Sequence, residues 1–244
     1  MIWVILALAG LWAGIQNAIA GGGSFITLPA LIFTGLDARV ANITSTVALS
    51  VGQVTTGWGG RKAVAGLPGM PVWVMLALSI AGGLVGAQLI LLTPTKVFAD
   101  MVPWLILAAT ALFAWGSFGP KPHKPRAPFA PLLSGVGLFF SSIYGGYFGG
   151  GNGIILVTVL TAAGLAIRAA SATKNVLAAI INVAAVGLFL FSPEVVWIKA
   201  VVLGAGAMLG GAIGNLVLAR INERPLRVAI VLIGVVLSIA LFLR

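Results

Sequence analysis

The sequence predicts an all-α, polytopic membrane protein. It predicts two inverted repeats of about five hydrophobic segments each, with helices broken at glycine triplets. Three observations carry this: the composition, the charge-free stretches and an internal repeat. Of 244 residues, 60% are hydrophobic and 7% charged, where a soluble domain carries about 25% charged residues. No Asp, Glu, Lys or Arg interrupts 1–36, 40–60, 63–95 or 127–167. Crossing the hydrocarbon core takes about 20 apolar residues as helix. Barrel strands would alternate polar and apolar residues, and runs such as 201–203 and 228–233 do not.

Ten hydrophobic segments follow in order, at 2–20, 23–35, 40–58, 71–92, 98–118, 129–148, 152–163, 169–191, 195–218 and 226–243. The first lacks a basic leader and reads as a membrane segment rather than a cleaved signal. The sequence thus divides into a first membrane repeat at 1–118, a Pro- and Lys-rich linker at 119–128, and a second membrane repeat at 129–244. Proline at the linker's density reads as a semi-rigid spacer.

The two sets align. Gly21, Gly22, Gly23, Ile26 and Leu28 match Gly149, Gly150, Gly151, Ile154 and Leu156. After one extra residue in the second copy, Gly35, Leu36, Arg39, Ala41 and Thr44 match Gly164, Leu165, Arg168, Ala170 and Thr173. Repeats of this kind mark secondary transporters. With an odd number of crossings per repeat and a cytoplasmic linker, the inside holds Arg61, Lys62, Lys121, Lys124, Arg126, Arg168, Arg220, Arg224 and Arg227. The outside then holds only Arg39, Lys96, Lys199 and Arg244. Four crossings per repeat would erase that asymmetry, so the positive-inside rule favours inversion with both termini outside. Segments 23–35 and 152–163 are short, about 20 Å of helix each, and re-entrant pairs would preserve the odd parity.

The net charge of +10 belongs to these segment edges. No aromatic–basic motif points to nucleic acid. There is no Cys and the single His, His123, lies in the linker, so thiolate chemistry and Cys/His metal sites are excluded. Neither glycine triplet precedes Lys-Ser or Lys-Thr, which removes a nucleotide P-loop. No cofactor is expected, and no nucleophile–base pair supports an enzyme.

What remains is a binding site. Gly21, Gly22, Gly23 and Ser24, and Gly149, Gly150, Gly151 and Asn152, lie between hydrophobic segments. Each glycine costs a helix about 1 kcal/mol relative to Ala, and a break at membrane depth is tolerated only beside protein or a water-filled cavity. A helix N-capped by Ser24 or Asn152 would aim its amides and positive end at the break, an anion site. The plain alternative is close helix packing, the role expected of Gly82, Gly83, Gly86, Gly210 and Gly211. Thr46 and Gln53 align with Asn175 and Asn182, two turns apart on one helix face in each copy, as in a cavity or an interhelical hydrogen bond. Lys174 lies six residues past Arg168, roughly 9 Å deeper. It either faces an anion or snorkels to the surface. The four acids, Asp37, Asp100, Glu194 and Glu223, stand at segment ends, so coupling through a buried carboxylate is not expected.

The paired Gly-Gly-Gly segments, Pro29, Gly35-Leu36, Ala41 with Thr44, and the small-residue stretches 82–87 and 208–214 resemble the sulfite exporter TauE/SafE family over nearly the whole chain. Copy two departs from that pattern at Asn152 and Val157. The resemblance implies a bacterial inner-membrane permease for sulfite, sulfoacetate-like sulfonates or related organic anions. The expectation is therefore an exporter of small oxyanions whose partners are the anion and the bilayer, with a homo-oligomer left open. An anion channel, or a membrane assembly factor without transport, is the alternative.

Overall fold

A computed structural model describes residues 1–19, 21–119, 130–217 and 223–243, and the side chains of Ile19, Asn215, Val217, Glu223, Arg224 and Leu226 are not described. The linker from Pro120 to Pro128, and the side assignments of Lys121, Lys124, Arg126, Arg220, Arg224 and Arg244, fall outside what is described. The described residues form an all-helical chain: α1 (Ile2–Ile19), α2 (Ser24–Phe33), α3 (Ala38–Gly60), α4 (Val72–Leu92), α5 (Thr95–Phe118), α6 (Pro131–Tyr147), α7 (Asn152–Ala162), α8 (Ile167–Phe189), α9 (Trp197–Val217) and α10 (Glu223–Phe242). A 3-10 turn, Arg61–Ala63, follows α3.

Among the described residues, α4, α5, α8 and α9 are long and apolar enough to span a membrane. At 10 and 11 residues, α2 and α7 extend about 15 Å, half the hydrocarbon thickness. The 23 residues of α3 are long enough, but Asn42, Thr44, Ser45, Thr46, Ser50 and Thr56 are buried along it. In lipid those groups would be costly, so α3 is enclosed by other helices, and its neighbours are α8 and α9.

Glycines set the closest approaches. A Cβ on Gly10 would overlap the carbonyl of Leu203, one on Gly14 that of Ala207, and one on Gly210 that of Leu11. The contacts advance together along α1 and α9, so these helices run parallel. Gly86 meets Ile143 and Gly82 meets Phe139 in the same manner, so α4 and α6 also run parallel. Gly82, Gly83, Gly86, Gly210 and Gly211 thus serve packing. Without a hydrophobic force between helices in lipid, such contact is what holds them.

Direction follows from further contacts. Gly204 lies at Ala48 and Gly211 at Gly52 and Thr56, so α3 runs with α9 and therefore with α1. The intervening α2 turns back, and its end, Thr34, receives Lys199 from the start of α9. Gly57 meets Asn175 and Ala179 while Gly60 meets Ala172, so α8 runs against α3. The apolar core includes Phe25, Phe98, Phe113, Phe148 and Phe189, with a second cluster around Met75, Leu138, Leu156, Leu160 and Leu177.

Substituting Gly210→Ala or Gly86→Ala should force a main-chain shift and destabilise by about 1–3 kcal/mol, the overpacking range. Thermal unfolding in detergent measures it, and an unchanged transition in both variants would contradict the close approach.

Candidate functional site

Between α1 and α2 the chain turns on Gly21 and Gly22, with φ of +77° and +92°. Between α6 and α7 it turns on Gly149 and Gly151, with φ of +75° and +72°. This left-handed backbone is open to glycine and strained for other residues. The turns meet: a Cβ on Gly21 would touch Gly153, and Gly149 faces the Ser24 hydroxyl.

A turn exposes carbonyls that a helix would have paired, and each copy supplies a side chain for one of them. Gln16 Nε2 donates to the Gly22 carbonyl at 2.9 Å. Tyr144 Oη donates to the Gly150 carbonyl at 2.6 Å. Gln16 and Tyr144 occupy the same aligned position, six residues before the glycine each one holds. The sequence reading missed both because the residue types differ. The available signal was a polar group at matching distance upstream of each triplet.

Ser24 and Asn152 do not act as the N-caps expected of them. They are the first helical residues, and the cap positions are Gly23 and Gly151, neither with a side-chain bond. A side chain from elsewhere does the capping in copy one, where Asn17 Oδ1 accepts the Gly23 amide at 2.7 Å. Copy two has Gly145 at the position of Asn17, and a Cβ there would overlap the Asn152 amide. The carboxamide has thus moved from the helix before the break to the helix after it. Several first-turn amides are also used within the chain: Phe25 N bonds Gly22 O, and Ile26 N and Thr27 N bond Gly23 O. The amides open to a ligand are therefore fewer than a bare helix terminus would offer.

Beside the turns lies a polar cavity bounded by Asn17, Gly21, Gly22, Gln53, Thr56, Gly149, Asn152, Gly153, Lys174, Asn175, Ala178 and Asn182. Of the expected residues it brings together Gly21, Gly22, Gln53, Gly149, Asn152, Lys174, Asn175 and Asn182. It does not include Gly23, Ser24, Thr46, Gly150 or Gly151. The Thr46 hydroxyl turns instead to the carbonyl of Asn42, at 3.0 Å. Asn17, Thr56, Gly153 and Ala178 were not anticipated. The open volume is ≈ 20 Å³, space for little more than one water.

Lys174 does not snorkel. It is 3% exposed, and Nζ donates to the Asn17 carbonyl at 3.3 Å. Its aligned residue, Ser45, shares a 2.6 Å hydrogen bond with Thr27. At this aligned position the second half therefore presents a lysine to the cavity, where the first half has closed two hydroxyls on each other. Gln53 Oε1 is buried with no hydrogen-bond partner. Among the described residues, no carboxylate lines the cavity. Asp37 is engaged in capping α3, and Glu194 pairs with Arg39.

A sequence model of the family described as Sulfite exporter TauE/SafE matches residues 6–241. The chain belongs to that family. Relatives of this TauE/SafE chain align along nearly their full lengths. A "Probable membrane transporter protein" of Haemophilus influenzae is 29% identical, over 96% of this chain and 92% of its own. "Probable membrane transporter protein ORF9" of a Sinorhizobium species is 30% identical, over 97% and 90%. "Probable membrane transporter protein YfcA" of Escherichia coli K12 is 26% identical, over 96% and 87%. The TauE/SafE match and the apolar helices together make this a multi-pass membrane protein of a family of probable transporters.

The matched carbonyl supports make a stability prediction. Tyr144→Phe removes the side-chain donor to the Gly150 carbonyl, and Gln16→Leu removes the one that serves the Gly21 and Gly22 carbonyls, a loss of about 1–3 kcal/mol for each buried group left unpaired. Both should lower the unfolding temperature in detergent. A neutral result in both would show that the breaks do not depend on these donors.

Proposed function

We propose that the chain is a secondary transporter that exports small oxyanions, sulfite or sulfonates, across the bacterial inner membrane. The observation that carries this is Lys174: a buried cation at a cavity whose other polar side chains are carboxamides and one hydroxyl. Charge-assisted hydrogen bonds are roughly twice as strong as neutral ones. The N–H groups of Asn17, Gln53, Asn152, Asn175 and Asn182 would complete an oxyanion's shell, and the turns at Gly21, Gly22 and Gly149 let the main chain come close. Gly23, Ser24, Gly150 and Gly151 then shape the break, and Thr46 supports α3 rather than the anion. The inside-negative potential favours anion exit by about 2.3 kcal/mol per charge per 100 mV.

The same reading includes two inverted repeats, 1–118 and 129–244, joined by a cytoplasmic linker. Its support is the way contacts recur in both halves. α1 packs on α9 as α6 packs on α4. The Thr44 hydroxyl accepts the Val196 amide as Thr173 accepts that of Ala65. The aligned helices α3 and α8 run antiparallel, as inversion requires. An oxyanion is larger than the present opening, so binding must accompany a separation of the helices around it, as alternating access demands.

Lys174→Met keeps much of the stem and removes the charge. It should weaken equilibrium binding of sulfite or sulfoacetate by about 1.5–3 kcal/mol, the value of a hydrogen bond to a charged group. Lys174→Arg should retain part of the affinity. Unchanged binding in Lys174→Met would sink the reading. Topology has its own test, because the chain has no native Cys. Pro122→Cys should resist an impermeant thiol reagent added outside intact cells, and rapid labelling there would reverse the orientation.

A further inference from the structure

The two ends of the α3–α8 pair are closed by different means. At the start of α3, Arg39 Nη2 meets Glu194 Oε1, in the segment between α8 and α9, at 2.5 Å, and also donates to the Leu91 carbonyl at the end of α4. Nearby, Lys199 of α9 holds the carbonyl and hydroxyl of Thr34 at the end of α2. These contacts tie the first half of the chain to the second. At the opposite end, aligned Arg168 is exposed. The matching bonds of Thr44 to Val196 and Thr173 to Ala65 place Ala63 where Glu194 stands, so the ion pair has no counterpart among the described residues. Nor do Lys199 and Thr34: the corresponding positions are Pro68 and Ala163.

The cavity is nearer the less fastened end. Gln53 lies about 12 Å along the helix from Arg61 and about 21 Å from Arg39. We propose that the Arg39–Glu194 pair is a releasable latch: it shuts the cavity from the Arg39 face, and its rupture opens that face. This rests on the transporter reading. The pair is shielded, with side chains 11% and 26% exposed, but under-bonded. Arg39 Nε and Glu194 Oε2 are buried without partners, whereas Arg–carboxylate pairs frequently form two parallel bonds. Separation returns both groups to water, and that hydration offsets much of the lost attraction. Such a contact holds a closed state without trapping it.

Cysteine accessibility tests this without a transport assay. Ala178 lines the cavity, and Ala178→Cys would be the chain's single thiol. Vesicles of both orientations, treated with an impermeant maleimide, give a labelling rate from each face. The otherwise native chain should label slowly from the Arg39 face and faster from the other. Arg39→Met or Glu194→Gln should raise the Arg39-face rate about tenfold, the response to a tenfold shift in a two-state population. The exchanged pair, Arg39→Glu with Glu194→Arg, should lower it again. Should the neutral variants fail to fold, Arg39→Lys carries the comparison with an intermediate rise. An unchanged Arg39-face rate in the variants, or equal rates from the two faces in the native chain, overturns the latch. A substrate assignment that fails leaves these rates as they are, so the two failures are distinguishable.

Discussion

A backbone carbonyl or amide without a partner costs several kcal/mol in hydrocarbon, and this constraint organises the whole molecule. The chain leaves the helix at two glycine triplets, so both must lie inside the protein with their polar groups matched. Gln16 and Tyr144 each take a glycine carbonyl, and Asn17 takes the Gly23 amide. Enclosure in turn requires surrounding helices to approach closely. Glycines on α1, α4, α6 and α9 permit that approach. The packing glycines and the turn glycines thus answer one requirement from two sides.

The two halves of the sequence align, and aligned positions differ at the cavity. Ser45 and Thr27 satisfy each other, and Thr46 is satisfied by its own helix. Lys174 and Asn175, at the aligned positions of Ser45 and Thr46, face the cavity. The cavity thus takes its lysine from the second half alone. The same asymmetry recurs at the helix ends, where Glu194 meets Arg39 and Arg168 meets no acid among the described residues.

Most of the helical layout was legible because hydrophobic length and charge-free runs are strong signals in a membrane protein. The ten segments fall within a few residues of the helices, and Lys174 stood out as a charge in an apolar run. What could not be read was rotation and exchange between copies. Thr46 and Asn175 align, yet a hydroxyl can fold back on its own helix while a longer carboxamide reaches outward. The transfer of the carboxamide from Asn17 to Asn152 is invisible to position-by-position alignment, since each aligns with a small residue. N-cap statistics favoured Ser24 and Asn152, but the turn needed left-handed φ at or beside the cap, and that selects glycine.

Calorimetric titration of the purified chain with sulfite and sulfoacetate tests the central claim most directly, because it counts sites as well as detecting them. The account predicts one anion per chain, bound where Lys174 lies. Two equivalent anions per chain would contradict the asymmetric cavity, and no binding of either anion would contradict the oxyanion site itself.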